Sequence, residues 1–191
     1  MKKITTWEEF NKIRLNTAIT QIKFGDIVYI RHQNPDGSIG GFVAQTAKVK
    51  KTCYIEYSAR VFGNAQVFGN AWIFGNAWIF GGAQVSENAQ VFGKARVYGN
   101  SWVYGNTRVY RNAQVSGNAR VFGDRITTVL KTIQIFQYCV SITNNFVFCG
   151  CDKYTHTEVK KMIYEKSRAK EYMTKKQFQI LKKVVLELIK F

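Results

Sequence analysis

From Val43 to Val121 a valine or isoleucine returns at every sixth residue, fourteen times without a slip. A period this short, held this long, restricts the chain to a stack of small repeating coils. The unit reads Ala-x-Val-x-Gly-Asn, as in Ala65–Asn70 (Ala-Gln-Val-Phe-Gly-Asn). Along Ala-x-Val-x the side chains alternate, so Ala and Val share one face and the two x residues share the other. The Ala slot holds alanine in ten units, and its exceptions, Gly41, Cys53, Ser101 and Thr107, are all small. A small residue and a branched one pointing inward suit a narrow tube. Gly-Asn then turns the corner, because both residue types tolerate positive φ.

This pattern resembles the hexapeptide-repeat left-handed β-helix family, in which three hexads make one triangular coil. The resemblance covers residues 41–124 and implies an all-β solenoid, a left-handed parallel β-helix of about 4.7 coils. An open β-helix exposes unpaired strand edges at both ends, so caps are expected on either side of it.

Residues 1–40 read as the first cap. Thr6 with Glu9 forms a capping box for a short helix carrying Trp7, Phe10 and Ile13 on one side. Ile27–Gln33 alternates as a strand, and Asn34-Pro35-Asp36-Gly37 is a turn signal. Residues 125–191 read as the second cap, with two or three strands over 126–149 and two helices. Thr155 with Glu158 starts one helix, with Val159, Met162 and Ile163 on one face. Thr174 with Gln177 starts the other, with an apolar stripe of Phe178, Leu181, Val184, Val185 and Leu188. Lys175, Lys176, Lys182 and Lys183 lie around the rest of that helix. One reading packs it against the solenoid with a solvated basic back; the other presents the lysines to a partner.

The net charge is +16, from 28 basic and 12 acidic residues. Such a balance favours acidic partners, whether nucleic acid, a nucleoprotein or an acidic protein face. A compositional lysine bias accounts for the lysines better than for the outward arginines. No apolar run approaches a membrane span, and Met1-Lys2-Lys3-Ile4 lacks the apolar core of a signal peptide. Cysteines 53, 139, 149 and 151 form no disulfide framework, so the chain reads as cytoplasmic. Cys139, Cys149, Cys151 and His156 could supply four soft metal ligands, but their spacing matches no common zinc module. Cys-x-Cys on a strand points both thiols the same way, which favours a packed thiol pair and no metal.

Many hexapeptide-repeat proteins are acyltransferases, whose resemblance implies a catalytic histidine beside the coils and a loop extruded from a corner. Residues 41–124 contain no histidine and no insertion. His32 belongs to the first cap and His156 to a helix start. The expectation is therefore a non-enzyme without cofactor; an acyltransferase and a polymer-forming structural protein are the alternatives.

The outward slots carry the functional expectation. Stacking every third hexad aligns Arg60, Trp78 and Arg96 with Phe62, Phe80 and Tyr98 on one face. Trp102 and Arg120 fall on a second, and Trp72 and Arg108 on a third. Ladders of rings and guanidinium groups can serve the sheet itself, through stacking and cation–π contact. Exposed aromatics beside arginine are equally the residues of binding hot spots. Arg60, Trp72, Trp78, Phe80, Arg96, Tyr98, Trp102, Arg108 and Arg120 are thus candidate partner-binding residues, together with the four lysines. The implied partners are a second copy of the chain and an acidic protein or nucleoprotein, with nucleic acid as a further candidate. The segment Phe148-Cys149-Gly150-Cys151 before a helix resembles phage and prophage β-helix proteins of unknown function. That resemblance implies a viral accessory role in a host cytoplasm: inhibition of a host defence nucleoprotein, anti-CRISPR-like, by covering its surface.

Overall fold

The computed structural model describes residues 1–13, 16, 18–123, 125–126, 131–135, 138–143, 146–149, 152–165 and 183. The chain divides into two compact units, Met1–Val129 and Leu130–Phe191.

The first unit is an all-β parallel solenoid. Its repeat strands are very short, and each pairs in parallel with the strand three hexads on: Arg60 with Trp78, and Trp78 with Arg96. Three hexads therefore make one coil, and three parallel sheets run along the repeat. The inward slots behave as their chemistry requires. Val61, Val67, Ile73, Ile79, Val85 and Val91 are wholly buried, as are the alanines that alternate with them from Ala65 to Ala95. Where Ser101 and Thr107 replace alanine, each hydroxyl donates to a backbone carbonyl, Tyr98 O at 2.8 Å and Tyr104 O at 2.6 Å. A polar group inside the tube is thereby satisfied.

The corners differ along the stack. From Gly63 onward nearly every corner is a glycine with φ near +60 to +70°. Successive corners touch: a Cβ on Gly93 would lie 3.0 Å from the backbone nitrogen of Arg111. After Gly69, Gly75, Gly81, Gly93 and Gly99 the following residue donates its N–H to the next corner, as Asn76 does to the Gly93 carbonyl at 2.7 Å. In the first coil the corners are Gln45, Lys51 and Tyr57, none of which has positive φ. There the following Thr46, Thr52 and Ser58 use hydroxyls instead, donating to the carbonyls of Gly63, Gly69 and Gly75. Hydroxyl residues replace Asn wherever glycine is missing from these three corners.

The N-terminal segment adds β1 (Lys2–Ile4), α1 (Trp7–Ile13), β2 (Gln21–Phe24) and β3 (Ile27–Gln33) before β4 (Ile39–Ala44). β1 pairs with β2 in parallel, and β2, β3 and β4 form an antiparallel meander. β4 then pairs in parallel with Arg60–Val61, so this segment extends one solenoid sheet to eight strands. Gly41 occupies the inward slot because a Cβ there would come 2.2 Å from the Ala59 carbonyl oxygen. The α1 capping box forms as expected: the Glu9 N–H donates to Thr6 Oγ1 at 3.1 Å, and the Thr6 N–H to Glu9 Oε2 at 3.3 Å. These bonds hold the Glu9 carboxyl below its ordinary range, with the Thr5 N–H the largest cause.

α1 lies against outward side chains of the sheet, over Phe42 and Arg60. Phe10, Tyr29 and Phe42 meet edge to face at 5.5 and 5.7 Å, with Ile4, Ile22 and Ala44 around them. Arg31 is buried there too, its guanidinium 3.8 Å above Phe42 and 3.7 Å above Tyr57.

The strand ladder also runs past the last regular hexad. Arg125–Ile126 pairs with Arg108–Val109, one residue short of the three-hexad offset seen elsewhere. The sequence drops one residue after the Gly123 corner, so Ile126 still enters the core and is 1% exposed.

The second unit contains an antiparallel meander of strands Lys131–Ile135, Tyr138–Ile142, Phe146–Cys149 and Asp152–Thr155. Helix α2 (His156–Glu165) follows, with a capping box in which the Glu158 N–H donates to Thr155 Oγ1 at 3.1 Å. The third strand ends at Cys149, and Cys151 lies outside the described residues, so the expected thiol pair does not share a described strand. The helix expected from Thr174 falls outside them as well, apart from Lys183.

Candidate binding faces

Each outward hexad position has its own character. The residue after Val faces outward and, where successive coils carry rings, those rings stack. Phe62, Phe80 and Tyr98 lie 4.9 Å apart at 2° and 4°. Phe74, Phe92 and Tyr110 lie 4.5 and 5.0 Å apart at 4° and 8°. The spacing of paired strands, ~4.8 Å, is also a good stacking distance for rings. Phe80 and Tyr98 therefore spend their faces on neighbours within the ladder, and both are half-buried. Their part is to hold adjacent coils in register.

The residue before Val is the more exposed. Trp72 is 50% exposed and Trp102 39%. Trp72 stacks on Tyr54 at 5.1 Å, and Arg120 lies 4.7 Å over Trp102. Arg96, Arg108 and Arg120 are exposed. Trp78 is held between Arg60 and Arg96, at 4.8 and 4.9 Å.

Arg60 departs from expectation. It is 4% exposed, because α1 covers its side chain: the guanidinium sits 4.8 Å from the Phe10 ring and donates to Asn11 Oδ1 at 2.5 Å. A residue in an outward slot is thus sealed beneath the N-terminal helix and leaves the set of partner-binding residues. Lys183 is exposed, while Lys175, Lys176 and Lys182 lie outside the described residues.

Phe68 was missing from the sequence-derived set, although it is 36% exposed. Its column neighbours are Lys50 and Ser86, so no ring stacks against it. The interrupting Ser86 was the available signal.

The charge of these faces is one-sided. Residues 41–124 hold nine basic and three acidic residues. Of the acids, Glu56 is engaged by the Gly75 N–H at 2.6 Å, and Glu87 sits on a corner. The column Tyr54, Trp72, Gln90, Arg108, Arg125 carries no carboxylate, nor does the column Lys48, Gln66, Gln84, Trp102, Arg120.

Each histidine is bonded through one ring nitrogen to a backbone carbonyl. His32 Nε2 donates to the Cys53 carbonyl and His156 Nε2 to the Thr143 carbonyl, each at 3.0 Å. Burial holds His32 below its ordinary pKa and pushes the Cys53 thiol above its own, so both stay neutral near pH 7. Among the described residues no group of three His, Cys, Asp or Glu side chains could hold a metal ion. Also among the described residues, no helix is long and apolar enough to cross a membrane.

Comparison with known proteins finds no matching curated protein and no matching solved structure. Residues 89–105 and 113–127 match the YdcK β-solenoid repeat family, so over that stretch the chain is similar to a family of stacked parallel coils.

Proposed function

We propose that this protein is a non-enzymatic binding scaffold that engages an acidic macromolecule through the exposed arginine–tryptophan columns of its solenoid. The observation that carries the reading is the pairing of Trp102, 39% exposed, with Arg120 at 4.7 Å, in a column without a carboxylate. Such a surface offers apolar area, cation–π-held guanidinium groups and positive potential together, which is the make-up of interaction hot spots. On a second sheet Trp72 and Arg108 share a column, with Gln90 between them. Flat parallel sheets offer no recognition helix for a duplex groove, which favours a protein or nucleoprotein over naked duplex.

The finer form of the proposal takes the solenoid as a left-handed hexapeptide-repeat helix of phage origin. Its partner is then a nucleoprotein of host antiviral defence, blocked by occlusion, and self-association uses whichever face the partner leaves free. The absence of histidine and insertion from residues 41–124 supports a scaffold over an acyltransferase.

Affinity capture from host lysate, with and without nuclease, tests the reading. The wild type should retain an acidic partner that the double variant Trp102→Ala/Arg120→Ala loses, with binding weakening steeply as salt rises. Equal capture by the variant at every salt concentration would remove these columns from the function.

A further inference from the structure

The N-terminal end of the solenoid presents three strand edges, and each is treated differently. The edge of β4 is paired with β3. The edge of β6 (Tyr54–Ile55) is closed by side chains of the β3–β4 hairpin: Asn34 Oδ1 accepts from the Ile55 N–H at 2.8 Å, and His32 Nε2 donates to the Cys53 carbonyl at 3.0 Å. The edge of β5 (Lys48–Val49) is left open. Lys48 and Lys50 direct their N–H groups to the Ala65 and Val67 carbonyls, both at 2.9 Å. Alternation along a parallel strand therefore turns the Val49 N–H and C=O outward, where they meet no hydrogen-bond partner among the described residues.

Beside this edge the tube itself is open. A concave mouth of about 670 Å³ is lined by Ile30, His32, Val43, Ala47, Val49 and Lys51, among others. Val43, Ala47 and Val49 occupy inward slots that are wholly buried one coil later, yet here they are only half-buried, and Ile30 is 45% exposed. An unpaired strand edge beside an apolar hollow is the geometry that accepts an added strand.

Charge decides what that strand is. Lys48, Lys50 and Lys51 are all exposed along the edge. A second copy stacked head to tail would continue the same column and set its Arg120 against Lys48. A copy stacked head to head would set the lysines against one another. Like charges directly opposite are destabilising, so neither arrangement suits the edge. An in-register strand of alternating acidic and aliphatic residues suits it on both counts. Its carboxylates would lie beside Lys48 and Lys50, and its aliphatic side chain would extend the Val43/Val49 column over the mouth.

We propose that β5 is a docking edge for an extended acidic segment of a partner protein, bound by strand addition. This edge is the far end of the column that carries Trp102 and Arg120, with Gln66 and Gln84 between Lys48 and Trp102, so either can fail without the other.

Amide hydrogen exchange of the intact protein, read by NMR at Val49, tests it with two capped peptides, Glu-Val-Glu-Val-Glu and Lys-Val-Lys-Val-Lys. The acidic peptide should slow Val49 exchange at least tenfold at saturation, and the basic peptide should leave it unchanged. The double variant Lys48→Glu/Lys50→Glu should reverse that preference while keeping its melting temperature, and Trp102→Ala should not alter it. Unchanged Val49 exchange with the acidic peptide, or equal slowing by both peptides, would overturn the proposal and leave the lysines as guards against edge pairing. Slowing that follows protein concentration without peptide would also overturn it, in favour of a second copy.

Discussion

Arg60 and Arg96 occupy equivalent slots two coils apart and flank the same tryptophan, at 4.8 and 4.9 Å from Trp78. One is 4% exposed beneath α1; the other is open to solvent. The repeat makes them equal and the cap makes them different. In a solenoid, therefore, the hexad decides which side chains avoid the core, while the flanking segments decide which of the remainder reach a partner.

Removing the cover should break this contrast most strongly. Phe10 is wholly buried against Tyr29 and Phe42, so Phe10→Ala should cost about 3–4 kcal/mol in urea unfolding and expose Arg60. Next, Arg60→Ala should cost about 2 kcal/mol, through loss of two cation–π contacts and the Asn11 bond. Arg96→Ala should stay within about 0.5 kcal/mol while weakening capture of an acidic partner. Equal destabilisation by the two substitutions would show that the cap does not distinguish them.

The corners offer the same kind of comparison on a smaller scale. Glu87 and Arg111 hold φ of 58° and 61° in slots that glycine fills elsewhere. Left-handed backbone costs a side-chain-bearing residue about 1 kcal/mol, so Glu87→Gly should raise stability by about that much. A loss instead would mean that the Glu87 side chain contributes more than the backbone strain removes.

The smallest expected effect concerns β6. Burial keeps His32 neutral in the folded state, its pKa below the ordinary value of about 6.5. Above that value both folded and unfolded chains are neutral there, and this contribution to stability is complete. As the pH falls through it, the unfolded chain takes up a proton first, and stability declines until the folded histidine also titrates. Thermal melts from pH 7.5 to pH 5 should show this decline in the wild type and less of it in His32→Gln.

Much of this was legible in the residues. The alternation of small and branched side chains gave the inward face, and Thr6 with Glu9 placed the start of α1 within a residue. Ile27–Gln33 is a strand with those bounds. These signals are local, and local chemistry determines them. The burial of Arg60 was not legible, because alternation says which side chains leave the core but not what lies over them. The closing strand Arg125–Ile126 was hidden by a one-residue slip that ended the visible period. The open β5 edge depends on where the Asn34 turn comes to rest, a contact with Ile55 that is distant in sequence.

The three-hexad coil has a consequence for how such a molecule can change size. Excising residues 84–101 would join Ala83 to Trp102, giving Ala-Trp-Val, the same order of small residue, tryptophan and branched residue as Ala77-Trp78-Ile79. Gln66 would then pair with Trp102, Trp72 with Arg108 and Trp78 with Gln114, with every inward valine or isoleucine still above another branched residue. The solenoid would lose one step of ~4.8 Å, and each remaining strand would still have a parallel neighbour one coil away. Its length is thus quantised: whole coils can be added or lost, and the distance between the two ends can be set like a ruler, independently of what either end recognises.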